Sequence, residues 1–167
     1  LKAGDTAALS FTLSEASSNF TRSDVSVSGG ALSNWNAASS TSYSATFTPT
    51  ANSTANGVIS VASSVFSDSS GNTNQDGSDA NNSLTFSVDT KRPTLAISDN
   101  DSDNALKAGQ TAALTFTLSE ASSDFVESDI SVSGGTLSNW NARSSTRYTA
   151  TFTPTANSTA NGVISVA

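Results

Sequence analysis

"QTAALTFTLS", residues 110 to 119, sets Ala112, Leu114, Phe116 and Leu118 at every second position. A period of two places all four on one face of an extended strand, whereas a helix would scatter them around its circumference. "TRYTATFTP" (146 to 154) repeats the pattern with Tyr148, Ala150 and Phe152, and Tyr43, Ala45 and Phe47 match them earlier in the chain. The residues between are mostly Thr and Ser, which suit a solvated strand face.

Other short runs obey the same rule. "TLAIS" (94 to 98) opens a repeat, and "DISVSGG" (129 to 135) points Ile130 and Val132 inward before Gly134 and Gly135 turn the chain. "TLSNWN" (136 to 141) reads as one more short strand. "GVISVA" (57 to 62) and "SLTFSVD" (83 to 89) follow, the latter with Leu84, Phe86 and Val88 alternating. About seven short strands per repeat, each with one apolar face, predict an all-β fold of antiparallel β-sandwiches.

The chain repeats itself. "LKAGDTAALSFTLSEASSNF" at residue 1 returns as "LKAGQTAALTFTLSEASSDF" at residue 106, and the match runs without a gap to residue 167 with ten substitutions in 62 positions. Pro93 and the charges of "DTKRPT" (89 to 94) interrupt two strand patterns, so the expected domains are 1–89 and 90–167. In this frame the first copy has no counterpart of the 94–98 strand. The second has none of the 83–89 strand, and the chain reads as a window onto a longer tandem array.

Composition removes several function classes. Cysteine, histidine and methionine are absent, so disulfides, the usual zinc sites and His-activated nucleophiles cannot be built. The expectation is no enzyme. A formal net charge of -7 with seven scattered basic residues argues against nucleic acid and for attraction to divalent cations. No apolar run reaches the roughly eighteen residues of a membrane-crossing helix. Nor is a signal peptide visible, since Leu1-Lys2-Ala3-Gly4 opens directly into a strand pattern.

The acidic residues gather in loops. "DNDSDNALKAG" (99 to 109) crowds Asp99, Asp101 and Asp103 onto alternate positions, where like charges repel. Turn formation is one reading and oxygen ligation of Ca²⁺ is the other. Strand order sends the corner holding Glu15 (Glu120 in the second copy) and the long loop with Asp68, Asn72, Asn74, Asp76 and Asp79 to one end of a sandwich. Gly71 and Gly77 permit tight turns in that loop. The linker carboxylate Asp89 enters at the same end of the next repeat, so Glu120 is expected to approach it. Trp35 and Trp140, both in "LSNWN", read as sandwich-edge residues or as part of a sugar-stacking platform.

Taken together, "TLSEAS", "LSNW", "YTATFTPTAN", "VFSDSSGN" and "DTKRPTL" resemble the bacterial Ig-like tandem repeats of giant RTX-type adhesins, including their calcium-bound extender regions. The resemblance spans essentially the whole chain. It implies Ca²⁺ ligands at Asp89, at Glu15 and Glu120, at Asp68 and Asn72, and at Asp99, Asp101 and Asp103. It also implies type I secretion, an extracellular place on the bacterial surface, and neighbouring Ig-like repeats of the same chain as partners. Lys91 and Arg92 depart from the family linker, and their charge opposes a cation nearby. The expected function is a non-enzymatic extender repeat rigidified by Ca²⁺. The alternatives are a carbohydrate- or cell-surface-binding module and a strand-complemented filament subunit.

Overall fold

The computed structural model describes residues 1–103 and 105–166. It divides into two compact units, Leu1–Arg92 and Pro93–Ala167. Thr90 belongs with the first: it is buried, and its hydroxyl donates to the carbonyl of Thr50 at 2.6 Å and accepts from the amide of Ser53 at 2.9 Å.

In the first unit, β1 (Ala7–Thr12), β4 (Ser42–Pro49) and β3 (Gly30–Ala37) form one sheet in the order β1-β4-β3. A second sheet has the order β2-β5-β6, from β2 (Val25–Ser28), β5 (Gly57–Val61) and β6 (Ser83–Phe86). In the second unit, β7 (Leu95–Asp99), β8 (Ala112–Leu118), β10 (Gly135–Ser144) and β11 (Arg147–Pro154) form the order β10-β11-β8-β7. Beside them, β12 (Val163–Val166) pairs with β9 (Ile130–Ser133). All these pairings are antiparallel. Each unit thus shows six strands among the described residues. Merged by their repeat, they define a seven-strand sandwich of four strands over three, the layering of an immunoglobulin-like domain.

The alternation read from sequence holds through the centre of this fold. Tyr43, Ala45 and Phe47 on β4 are buried, as are Ala112, Leu114 and Phe116 on β8. Two strands differ from expectation. β10 runs ten residues instead of stopping at Asn141, because a bulge between Ser138 and Asn141 absorbs the break in alternation. Asn139 takes the left-handed conformation there (φ 53°), which asparagine tolerates better than most residues. β6 ends at Phe86, short of Asp89, because the chain leaves β5 and runs parallel to Lys2, with the amide of Asp89 donating to the carbonyl of Leu1 at 2.9 Å. Leu84, expected inside, is 47% exposed. Helical structure in the described residues is confined to three 3-10 turns, Arg22–Asp24, Ala80–Asn82 and Glu127–Asp129.

Phe47 ties the two layers together. It is fully buried, its ring stacks on Phe86 of the opposite sheet at 5.5 Å, and it lies against the backbones of Gly30 on β3 and Gly57 on β5. A Cβ on either glycine would overlap the ring. Phe152 occupies the same slot between Gly135 and Gly162. Gly57→Ala should therefore destabilise the first unit by about 1–3 kcal/mol through overpacking, measured as a lowered urea midpoint. An unchanged midpoint would show that the slot has slack.

Candidate functional site

At one end of the first unit, the corner between β1 and β2 meets the long loop between β5 and β6. Ser17 is buried and forms an antiparallel bridge with Asp68. Its hydroxyl accepts the amides of Asn19 and Phe20 and donates to Asn19 Oδ1 at 2.9 Å. Asn19 then reaches across: its Oδ1 accepts the Ser67 amide at 3.0 Å, and its Nδ2 donates to Ser67 Oγ at 3.2 Å. The convergence of these loops follows from strand order. Asn19 as the clamp was not among the residues expected from sequence. Its signal is the Ser-x-Asn spacing, which makes a side-chain-capped turn and leaves the amide group free to bridge.

Within the long loop, Asp68 anchors a tight turn. Its Oδ1 accepts the amides of Ser70 and Asn72, both at 2.8 Å, and its Oδ2 accepts the Asn72 side-chain amide at 2.8 Å. The Asn72 side chain and backbone hold the Asp68 carboxyl below its ordinary pKa by hydrogen bonding to the charged form. Gly71 supplies the left-handed step (φ 89°). Asn72 thus turns its side-chain N–H toward Asp68. Asn74 is likewise turned inward, accepting the amides of Val65 and Phe66 and donating to the carbonyl of Ala62. Asp76 accepts from Asn74, and Asp79 is exposed.

In the 99–105 loop each carboxylate takes a backbone amide. Asp99 Oδ1 accepts from Asp101 at 2.7 Å, while Asp101 Oδ2 and Asp103 Oδ1 both accept from Ala105, at 2.9 and 3.2 Å. Asp101 and Asp103 are therefore brought together around one N–H, and each keeps a second oxygen for another partner. Asn100 is not idle: its Oδ1 accepts the amide of Ala113, fastening the end of β7 to β8. Asp99 and Asp101 also face a cavity of about 330 Å³ with Leu106, Leu114, Phe152 and Ile164.

Glu15 is exposed and shares a cavity of about 1100 Å³ with Asp68 and Asn72. Asp89 lies in the first unit, its Oδ1 accepting the Lys91 amide at 3.3 Å, and the half-buried Glu120 lies in the second. No three acidic side chains among the described residues cluster closely enough to hold a metal ion. The donor chemistry, all oxygen, suits Ca²⁺, which also accepts backbone carbonyls and water. In the geometry seen, the Asp101–Asp103 pair comes nearest to that requirement.

The tryptophans belong to aromatic clusters. Trp35 is half-buried against Phe11, Phe20 and Tyr43, with centroids 5.4 to 5.8 Å apart. Trp140 stacks on Tyr148 at 5.4 Å and packs against Phe116 and Phe125. The hydroxyl of Tyr43 donates to the carbonyls of Ser17 and Ser40, pinning the cluster to the β1–β2 corner.

Six described strands in each unit, three over three in the first and four over two in the second, define tandem immunoglobulin-like modules. The bacterial Ig-like domain family matches residues 1–88 and again 89–167, and the chain belongs to that family. No curated protein and no solved structure matches it. Domains of this family are as a rule structural or surface modules without catalytic activity. No helix of the described residues is long and apolar enough to cross a membrane.

Two outcomes follow from the clamp and the turn. Asn19→Ala should cost the first unit about 1–2 kcal/mol, the yield of a few net hydrogen bonds, and should speed amide exchange at Ser67. Equal exchange rates would show that Asn19 does not hold the loop. Because the folded Asp68 carboxyl titrates below its unfolded value, its contribution is complete above the unfolded pKa and is lost as pH falls through the folded one. Asp68→Asn should therefore flatten the acid limb of stability below about pH 4, read from urea midpoints across pH. An identical acid limb would leave the turn without an electrostatic role.

Proposed function

We propose that the chain is a stretch of non-catalytic spacer modules from a bacterial cell-surface adhesin, with calcium held by the 99–105 loop of the repeat. The observation that carries the spacer reading is the repeat itself. Ten substitutions in 62 positions leave the core types unchanged: the one at a buried site replaces Val25 with Ile130. A recognition module tends to diversify its loops between copies, whereas a spacer needs only the same sandwich again. The engagement of both Trp rings in aromatic clusters weighs against the sugar-stacking alternative. Extracellular placement and export remain with the spacer reading, and antibody labelling of intact cells tests them. Signal only after permeabilisation would overturn it.

For calcium, Asp101 and Asp103 would hold the ion, with Asp99 beside them and backbone carbonyls or water completing the shell. The ion would supply the positive charge that three alternate carboxylates lack. Extracellular modules bind calcium with Kd of about 0.1–1 mM. At ten to a hundred times Kd, a single site adds about 1.4–2.7 kcal/mol to stability. The second unit should therefore melt several degrees higher in calcium than in EDTA, and Asp101→Asn with Asp103→Asn should abolish the difference. Equal melting temperatures for the unaltered protein would remove calcium from the account and leave these aspartates as turn formers.

A further inference from the structure

The glycines that admit Phe47 and Phe152 have a chemical consequence one residue upstream. Of the asparagines in the chain, only Asn56 and Asn161 precede glycine, and both stand at the same place in the repeat. Gly57 is held there by packing, since a Cβ would overlap the Phe47 ring, and Gly162 meets Phe152 in the same way. A residue without a side chain also leaves its own amide nitrogen unhindered. Asn56 is exposed, so its amide group meets solvent immediately before the buried start of β5.

We propose that Asn56, and Asn161 in the second copy, are sites of spontaneous conversion to isoaspartate and aspartate, held in check by the folded sandwich. The Gly57 nitrogen bonds to Asn56 Cγ and gives its proton to hydroxide. The side-chain nitrogen takes a proton from water and leaves as ammonia. The resulting cyclic imide then takes up one water. Opening at Cγ gives aspartate, whereas opening at the Asn56 main-chain carbonyl gives isoaspartate, whose chain runs through the former side chain. Each event exchanges a neutral amide for a carboxylate in a chain that is already acidic.

The fold decides when this happens. Ring closure turns the bond between Asn56 Cα and its carbonyl carbon, which swings the carbonyl oxygen and the Gly57 nitrogen together. That oxygen lies so close to Gly29 that a Cβ there would collide with it, and Asn161 repeats the contact with Gly134. Gly57 itself is buried, paired with Phe86 and pressed on Phe47. The imide therefore needs the start of β5 to lift from Gly29 and Phe47, a local opening whose population sets the rate. Isoaspartate adds a carbon to the main chain directly before Gly57. The strand then cannot present glycine to Phe47 and also keep its pairing with Phe86. This inference goes beyond the spacer reading and does not depend on calcium.

The full 167-residue chain, aged in mildly alkaline buffer with and without urea, tests it. Peptide mapping with mass spectrometry resolves isoaspartate and aspartate at each asparagine. In denaturing urea, Asn56 and Asn161 should convert well ahead of Asn52 and Asn157, which precede serine in the same loops. In the folded chain, conversion at Asn56 should be slower than in urea by at least about tenfold, and should rise through subdenaturing urea in step with amide exchange at Val58. An Asn161→Gln background confines the change to the first unit. There, the isoaspartate fraction should have a lower urea midpoint than Asn56→Asp, which carries the charge without the extra carbon. Any of three results overturns the proposal: conversion at Asn56 no faster than at Asn52 in urea, equal rates with and without urea, or an isoaspartate fraction as stable as Asn56→Asp.

Discussion

A phenylalanine pressed between two glycines joins the layers of each sandwich. Phe47 comes from the middle of the β1-β4-β3 sheet, yet it touches Gly30 on its own sheet and Gly57 on the other. Removing the side chain from both positions lets the backbones approach the ring directly, and Phe86 then stacks on it from the second sheet. Neither glycine has a positive φ, so the requirement is space, not backbone conformation. Gly29 is the reverse case: its φ of 68° makes the turn between β2 and β3, and a Cβ there would meet the carbonyl of Asn56. The Gly-Gly pair thus divides two tasks between neighbours, turning the chain and admitting the ring. Sheet register follows from that docking, since a slip of one residue would put Phe47 on the solvent face.

The unequal surroundings of the two copies separate what a residue contributes from what its neighbours contribute. Ile59 is 3% exposed, while Ile164, with no strand corresponding to β6 beside it among the described residues, is half-buried. Phe20 and Phe125 differ in the same direction. Phe20 packs on Phe66 of the long loop at 5.0 Å, and no counterpart of that loop is among the described residues around Phe125. The alternation read from sequence therefore names the residues that face inward, but not those that end up covered. Coverage belongs to the adjacent strand.

That distinction accounts for most of what could and could not be read in advance. The inward faces of β4, β8 and β11 were legible because alternation is strict and both sheet neighbours are present. Leu84 follows the same alternation and is still exposed. β10 outran its expected length because Asn139 hides a bulge that a hydropathy pattern cannot express. The meeting of the β1–β2 corner with the long loop followed from counting strand directions. The carboxylates were harder. Their spacing suggested ligands, yet Asp68, Asp99, Asp101 and Asp103 each accept backbone amides within a few residues. A short acidic side chain in a loop has that local option whenever the chain can curl back on it, and spacing alone does not distinguish it from ligation.

The substitutions between copies show a further constraint, on charge. Five of the ten alter charge: Asp5 becomes Gln110, Asn19 becomes Asp124, Arg22 becomes Glu127, and Ala38 and Ser42 become Arg143 and Arg147. Their effects cancel, so each 62-residue copy keeps the same net charge of -1. Arg143 and Arg147 lie at the β10–β11 hairpin, and Glu127 opens a 3-10 turn, all on exposed surface. Individual surface charges contribute little to the stability of one module. A large number of near-identical modules sums whatever net charge each carries, and the summed field governs solubility and self-repulsion. The sandwich interior tolerates only a methylene's difference between Val25 and Ile130. Its surface exchanges charges at five positions while the total over the 62 aligned positions stays the same.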